Sequence, residues 1–218
     1  MMKTILIAAA TILQAYLLGS VDTGILVSKF VYHDDVRNHG SGAAGMTNML
    51  RTFGKKAAAM TATGDVLKGV LAVCIGRWLF QLLPADAGVS PYLGVYLAAI
   101  FAVLGHLYPL YFGFKGGKGI LSGGTLVWLL DWRVGLIAWG LFAALWLLTK
   151  YVSLGSVCAA ASMPVTTFFF CGRSLLYTAL AVLIAALVIW CHRENITRLL
   201  HHQERKFQWH TGTPKEKE

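Results

Sequence analysis

Three short segments of the chain concentrate residue types suited to handling anions. The first runs Asp35-Val36-Arg37-Asn38-His39-Gly40-Ser41-Gly42-Ala43-Ala44-Gly45-Met46-Thr47-Asn48-Met49-Leu50-Arg51. Gly40, Gly42 and Gly45 permit close backbone approach to a ligand, Ser41 offers a hydroxyl, Asn48 an amide, and Arg51 a fixed charge on a planar fork. Gly40 to Gly45 satisfies GxGxxG, but a dinucleotide fingerprint needs a preceding strand and a βαβ unit of about 30 residues, which the surrounding sequence does not offer. A plain hydrophilic connector accounts for glycines, though not for glycines beside Ser, Asn and Arg, so a ligand site is the better reading.

The second segment, Lys115-Gly116-Gly117-Lys118-Gly119, leads directly into an apolar run. Side-chain-free backbone N–H groups at a helix start, with two lysines, favour an anion such as phosphate. It is not a P-loop, because no Ser or Thr follows Lys118 to hold Mg²⁺. The third segment is His192-Arg193-Glu194-Asn195-Ile196-Thr197-Arg198, with Glu204 beyond. On a continuing helix His192 and Asn195 share a face. An imidazole that titrates near neutrality serves phosphate binding or proton transfer.

Ionisable residues within the apolar runs are costly to insert, which makes Asp22, Asp65 and Lys68 informative. Asp65 and Lys68 are spaced i, i+3 and predict an intrahelical ion pair with a structural role. His106, before Pro109, reads as a packed interfacial histidine. Ser153 and Ser156 follow Tyr151, in position to cap a helix or donate to a ligand. Cys74, Cys158, Cys171 and Cys191 show no CxxC pair and no clustered ligand spacing, so they read as small buried hydrophobes and no metal site is expected.

The elements that must position these groups follow from composition. Of 218 residues, 56% are hydrophobic and 13% charged, against roughly a quarter charged in soluble domains, and the mean hydropathy is +0.61. Water-soluble, disordered and disulfide-scaffold classes are excluded, leaving an all-α integral membrane protein. The net charge of +9 is scattered between apolar runs, as flanking charges on membrane spans are, and does not form the stripe expected for nucleic-acid binding.

A span needs about 20 apolar residues, and about seven runs qualify. They cover Ile5 to Phe30, Ala57 to Leu83, Tyr92 to Phe112, Ile120 to Leu130, Val134 to Leu148, Leu154 to Phe170 and Leu175 to Trp190. The fourth is short and Gly-rich, so tilt, a re-entrant path or a start inside the preceding loop is expected. The first follows Lys3 but lacks a cleavage site and is read as a retained helix.

Lys and Arg collect in the loops around residues 29–56, 115–118, 150 and 193–217, with fewer at Lys3, Arg77, Arg133 and Arg173. Basic loops stay cytoplasmic, which predicts an outside N-terminus, a cytoplasmic C-terminus and all three polar segments on the cytoplasmic face. One polytopic domain over residues 1–210 is expected, followed by a flexible cytoplasmic tail at 211–218.

In order and setting, these motifs resemble those of the bacterial acyl-phosphate:glycerol-3-phosphate acyltransferases, the PlsY family. The resemblance extends from about Gly19-Ser20 to Phe207. It rests on Gly40-Ser41-Gly42 with Thr47-Asn48 and Arg51, Asp65 to Gly69, Gly105-His106, Lys115 to Gly119, Tyr151 to Leu154, and His192 to Leu199 with Glu204.

The resemblance implies transfer of a fatty acyl group from acyl phosphate to the 1-hydroxyl of glycerol 3-phosphate, giving lysophosphatidic acid and phosphate. It also implies a bacterial inner-membrane location with the lipid bilayer as surroundings, no cofactor, no nucleic acid and no obligate protein partner. Residue by residue it implies Ser41, Arg51, His192 and Asn195 as catalytic. Gly40, Gly42, Asn48, Lys115, Gly116, Gly117, Lys118, Gly119, Ser153 and Ser156 would bind substrate, and Asp65, Lys68 and Glu204 would be structural. The family's usual Asn after Gly-Ser-Gly is Ala43 here, its Ala before Thr-Asn is Met46, and its Gly-Ser-Ile-Pro is Gly19-Ser20-Val21-Asp22. Two other readings stand beside this one: a divergent paralogue with another acceptor or no turnover, and a small transporter using Asp22, Asp65 and Lys68.

Overall fold

The computed structural model describes residues 1–207. The tail expected at 211–218, and the last residues of the domain expected over 1–210, lie outside the described residues. Among the described residues the regular structure is wholly helical, in chain order α1 (Met2–Gly19), α2 (Thr23–Val31), α3 (Met46–Phe53), α4 (Lys55–Gln81), α5 (Pro91–Leu107), α6 (Ile120–Leu130), α7 (Trp132–Thr149), α8 (Val152–Phe170), α9 (Leu175–Cys191) and α10 (Arg193–Leu200), with single 3₁₀ turns in three loops.

Five segments are long and apolar enough to cross a bilayer: Met2–Val31, Lys55–Gln81, Pro91–Phe112, Trp132–Thr149 and Val152–Phe170. A sixth results if α9 and α10, bent 60° from one another, count as one. The fourth apolar run is helical but only 11 residues long, about 16 Å at 1.5 Å per residue and short of a hydrocarbon core of roughly 30 Å. The chain is therefore an all-helical, multi-pass membrane protein.

The first apolar run is not one helix. Its chain breaks at Ser20–Asp22, where the Asp22 carboxylate accepts from the Ile25 N–H at 3.1 Å and starts α2. Asp22 is thus an N-cap, a use of an intramembrane carboxylate that sequence spacing alone did not suggest. Close approach of neighbouring backbones explains several glycines. Gly19 lies on the backbone of Ala102, and Gly105 on the backbone of Tyr16 and Ser20. A Cβ at Gly76 would stand 2.7 Å from the Ala98 Cβ and 2.8 Å from the Gly94 carbonyl. Small residues at such crossings let dispersion and backbone proximity hold helices together where lipid removes the hydrophobic drive.

Helix α5 is the most enveloped element, packed by α1, α4, α6 and α9, with Tyr96, Ala98, Ala99, Ala102 and Val103 buried. Helices α7, α8 and α9 pack in series beside it. Large apolar side chains such as Leu6, Leu67, Leu136, Leu148 and Leu175 face outward, as lipid contact allows. Trp78, Trp132 and Trp190 are exposed near helix ends, where indoles suit the headgroup region.

Candidate active site

The three polar segments meet at one end of the bundle, around a cavity of about 770 Å³. The first segment owes its shape to Asn48. Its Nδ2 lies 3.1, 3.0 and 3.0 Å from the carbonyl oxygens of Val36, His39 and Ala43, and its Oδ1 accepts from the Ser41 N–H at 3.1 Å. Gly40 packs on that Oδ1 at φ +58°, a conformation and a clearance that favour glycine. The folded turn presents Ser41 to the cavity mouth, while α3 carries Arg51 into its wall. Among the described residues the Arg51 guanidinium has no hydrogen-bond or ion-pair partner. Burial pushes its pKa down and the nearby Arg205 adds to this, with Glu204 opposing.

The second segment is divided between the cavity and the neighbouring helix. Gly116 and Gly117 back onto α5: the Gly117 N–H donates to the His106 carbonyl at 3.2 Å, and a side chain at either glycine would overlap His106. Lys115 is exposed, with its carbonyl accepting from Arg37 at 3.4 Å. Gly42, Lys115, Gly116, Gly117 and Ser156 do not line the cavity; Lys118 and Gly119 do. The glycines are needed because the loop must lie flat on His106 before Lys118 can turn inward. Gly119, at φ +72°, then starts α6.

Lys118 Nζ donates to Asn195 Oδ1 at 2.5 Å. The Asn195 amide in turn donates to Glu204 Oε1 at 2.7 Å, which also accepts from Ser153 Oγ at 2.7 Å, while Glu204 Oε2 accepts from Arg198 Nε at 2.8 Å. Burial pushes the Glu204 carboxyl pKa up, but the bonds from Ser153, Arg198 and Asn195 together outweigh it and the net direction is down. Lys118 is pushed down by burial and by Arg198, despite Glu204 and Glu194. Lys118 and Arg51 therefore carry positive charge at some cost, which an anion in the cavity would relieve.

His192 is buried where α9 gives way to α10, and its Nδ1 lies 2.8 Å from the Val188 carbonyl. A carbonyl only accepts, so Nδ1 carries the proton and Nε2 keeps a lone pair. Ser153 reaches the cavity rim through its bond to Glu204, whereas Ser156 donates to the Val152 carbonyl at 2.8 Å within its own helix. Ser156 lines a separate apolar slot of about 60 Å³ that adjoins the main cavity at Gly119, Ile120, Trp139 and Phe142.

Asp65 and Lys68 form the expected pair at 3.0 Å, and Lys68 also bonds to the Val21 carbonyl and His106. With Asp22 capping a helix, these intramembrane charges are engaged with protein groups. That weakens the transport reading.

Residues not singled out in sequence complete the site. Trp139, Phe142 and Trp146 of α7 form an aromatic wall, and Lys55, Arg198 and Arg205 add positive charge. The spacing i, i+3, i+7 puts the aromatics on one face, but in a helix apolar all round nothing distinguishes a cavity-facing stripe from a lipid-facing one.

Fold and site together define a multi-pass membrane protein with a cationic, half-buried cavity at one end of its bundle, walled on one side by aromatic rings. Residues 9–202 match the sequence profile of the family described as Glycerol-3-phosphate acyltransferase, and the chain belongs to that family. A Glycerol-3-phosphate acyltransferase of Clostridioides difficile is 42% identical over 192 residues, covering 88% of this chain and 91% of that protein. One of Prochlorococcus marinus is 39% identical over 198 residues, covering 89% and 95%. Among solved structures, the glycerol 3-phosphate form of PlsY, an integral membrane glycerol 3-phosphate acyltransferase, superposes with a TM-score of 0.80 at 35% identity, covering 92% of this chain and 96% of that one. Its lysophosphatidic acid form superposes with a TM-score of 0.77 at 33% identity, covering 93% and 96%.

Proposed function

We propose that this chain transfers a fatty acyl group from acyl phosphate to the 1-hydroxyl of glycerol 3-phosphate at the cytoplasmic face of a bacterial inner membrane. The observation that carries the reading is the convergence of Arg51, Lys118, His192 and Asn195, from three distant segments, on one cavity that continues into apolar walls. Both substrates bring a phosphate for the cations, and the acyl chain suits Trp139, Phe142, Trp146 and the adjoining slot.

In the reaction the hydroxyl oxygen bonds to the acyl carbon, the acyl–phosphate C–O bond breaks, and inorganic phosphate leaves. An acyl phosphate is already activated, so no nucleophilic relay is required. The hydroxyl proton has two acceptors, the departing phosphate and His192 Nε2. Arg51 and Lys118 offset charge on the phosphates, Ser41 offers its hydroxyl at the mouth, and Glu204 holds Asn195 and, through it, Lys118. The test is purified protein with palmitoyl phosphate and labelled glycerol 3-phosphate. Formation of lysophosphatidic acid supports the reading, and acyl transfer to no phosphorylated acceptor overturns it.

The proposed orientation, with an outside N-terminus and the three polar segments on the cytoplasmic face, is tested by cysteine labelling in intact cells from a cysteine-free background. Lys115→Cys is expected to be shielded from an impermeant reagent and Asp86→Cys to react. The reverse pattern would invert the topology.

Ala43 lines the cavity where the resembling sequences carry Asn. Ala43→Asn is expected to lower KM for glycerol 3-phosphate roughly tenfold, the worth of about 1.4 kcal/mol from one bond to a charged group, with KM for acyl phosphate nearly unchanged. If wild type instead prefers another phosphorylated polyol, the acceptor assignment changes and the transfer chemistry stands.

A further inference from the structure

Under the Lys118 loop lies a histidine that the reaction described above does not use. His106 is 2% exposed yet lines the cavity, with Nε2 and Cε1 against Gly117 and Cδ2 near Gly119. Its Nδ1 is 2.9 Å from Lys68 Nζ. The same Nζ is 2.9 Å from the Val21 carbonyl and forms an ion pair at 3.0 Å with Asp65 Oδ1, an oxygen that stands 3.7 Å from His106 Nδ1, beyond hydrogen-bond reach. An ammonium only donates, so Nδ1 of His106 must accept, and the ring proton resides on Nε2. Among the described residues nothing accepts from that Nε2–H.

We propose that His106 is a further substrate-contacting residue, donating from Nε2 to a phosphate oxygen held beside Lys118, with Lys68 as the positioning residue that fixes its tautomer. This rests on the acyl-transfer reading of the same cavity. The chemistry favours a phosphate oxygen because the donor lies beneath the loop that delivers Lys118, in a residue that lines the cavity, and an N–H left without a protein acceptor there is open to a ligand oxygen. His106 and His192 hold opposite tautomers, one offering a proton and the other a lone pair.

The opposite tautomers make the proposal measurable without mutation. In wild-type protein labelled with ¹⁵N-histidine, inorganic phosphate is expected to shift the protonated Nε2 resonance of the buried histidine whose Nδ1 is an acceptor. Movement of the other tautomer alone would overturn the proposal. His106→Asn keeps an acceptor toward Lys68 and removes the distal donor, whereas His106→Gln places an amide donor near the lost Nε2. The expected result for His106→Asn is an unchanged melting temperature, about tenfold weaker inorganic phosphate binding, and a matching rise in one KM with a smaller change in kcat; His106→Gln restores part of both.

A rise in the acyl phosphate KM assigns the bond to the donor's phosphate, and a rise in the glycerol 3-phosphate KM assigns it to the acceptor's. Phosphate affinity and both KM values within twofold of wild type would sink the proposal. If wild type forms no lysophosphatidic acid but binds phosphate in a His106-dependent way, the acyl-transfer reading fails and the contact stands.

Discussion

Lys118→Ala and Arg51→Ala are each expected to reduce kcat/KM for acyl transfer by tenfold to more than a hundredfold. Lys118 is half-buried beside Asn195, and Arg51 sits in the cavity wall with no partner among the described residues. Each would meet a phosphate oxygen through charge-assisted bonds worth about 1.5 to 3 kcal/mol. The two losses are not expected to add, because both cations act on the same small set of oxygens. Lys118→Ala carries a second cost, since it leaves Asn195 Oδ1 without its donor. Steady-state kinetics with palmitoyl phosphate and glycerol 3-phosphate measure the effect, and Lys3→Ala, exposed at the chain's start, is the control. Equal activity in all three variants would remove the site assignment.

Glu204→Ala is expected to damage both stability and turnover. The carboxylate is 9% exposed in its side chain and collects Ser153 from α8, and Asn195 and Arg198 from α10. Removing it leaves the Ser153 hydroxyl and the Asn195 amide without their acceptor, a cost of about 1 to 3 kcal/mol. The pair with Arg198 adds little, because that side chain is 37% exposed and stays solvated. Turnover falls with it, because Asn195 no longer holds Lys118.

The pH dependence follows from the direction of the shift. Glu204 has a folded-state pKa below its ordinary value, so its contribution is complete above the unfolded value near 4.3 and is lost as pH falls through the lower, folded value. Melting temperature against pH should therefore lose an acid-side slope in Glu204→Gln relative to wild type. Identical slopes would show that the carboxylate is not held by these donors.

Composition and run length were enough to decide a helical membrane protein, because a bilayer leaves few other ways to satisfy the backbone. The pairing of Asp65 with Lys68 was legible for a similar reason: i, i+3 spacing on a helix brings side chains together wherever the helix sits. Charge and amide chemistry at a membrane boundary also pointed to Arg51, Lys118, His192 and Asn195 as ligand-handling residues, and the structure places all four around one cavity. Spacing did not show what the glycines lie against. Gly116 and Gly117 look the same in sequence whether they cradle a phosphate or lie on a histidine, and only the position of His106 on α5 separates the two.

What the sequence by itself determined about this protein is local or solvent-driven: helices where apolar residues run, and polar loops bearing the chemistry. The tertiary structure decided what depends on residues far apart in the chain. Lys118 meets Asn195 and Ser153 meets Glu204, Trp139, Phe142 and Trp146 line a cavity, and Lys68 stands 2.9 Å from His106 Nδ1. The reason is physical: in a helix apolar on every side no periodicity marks which face turns inward, so packing against neighbouring helices alone assigns each face to lipid, core or substrate.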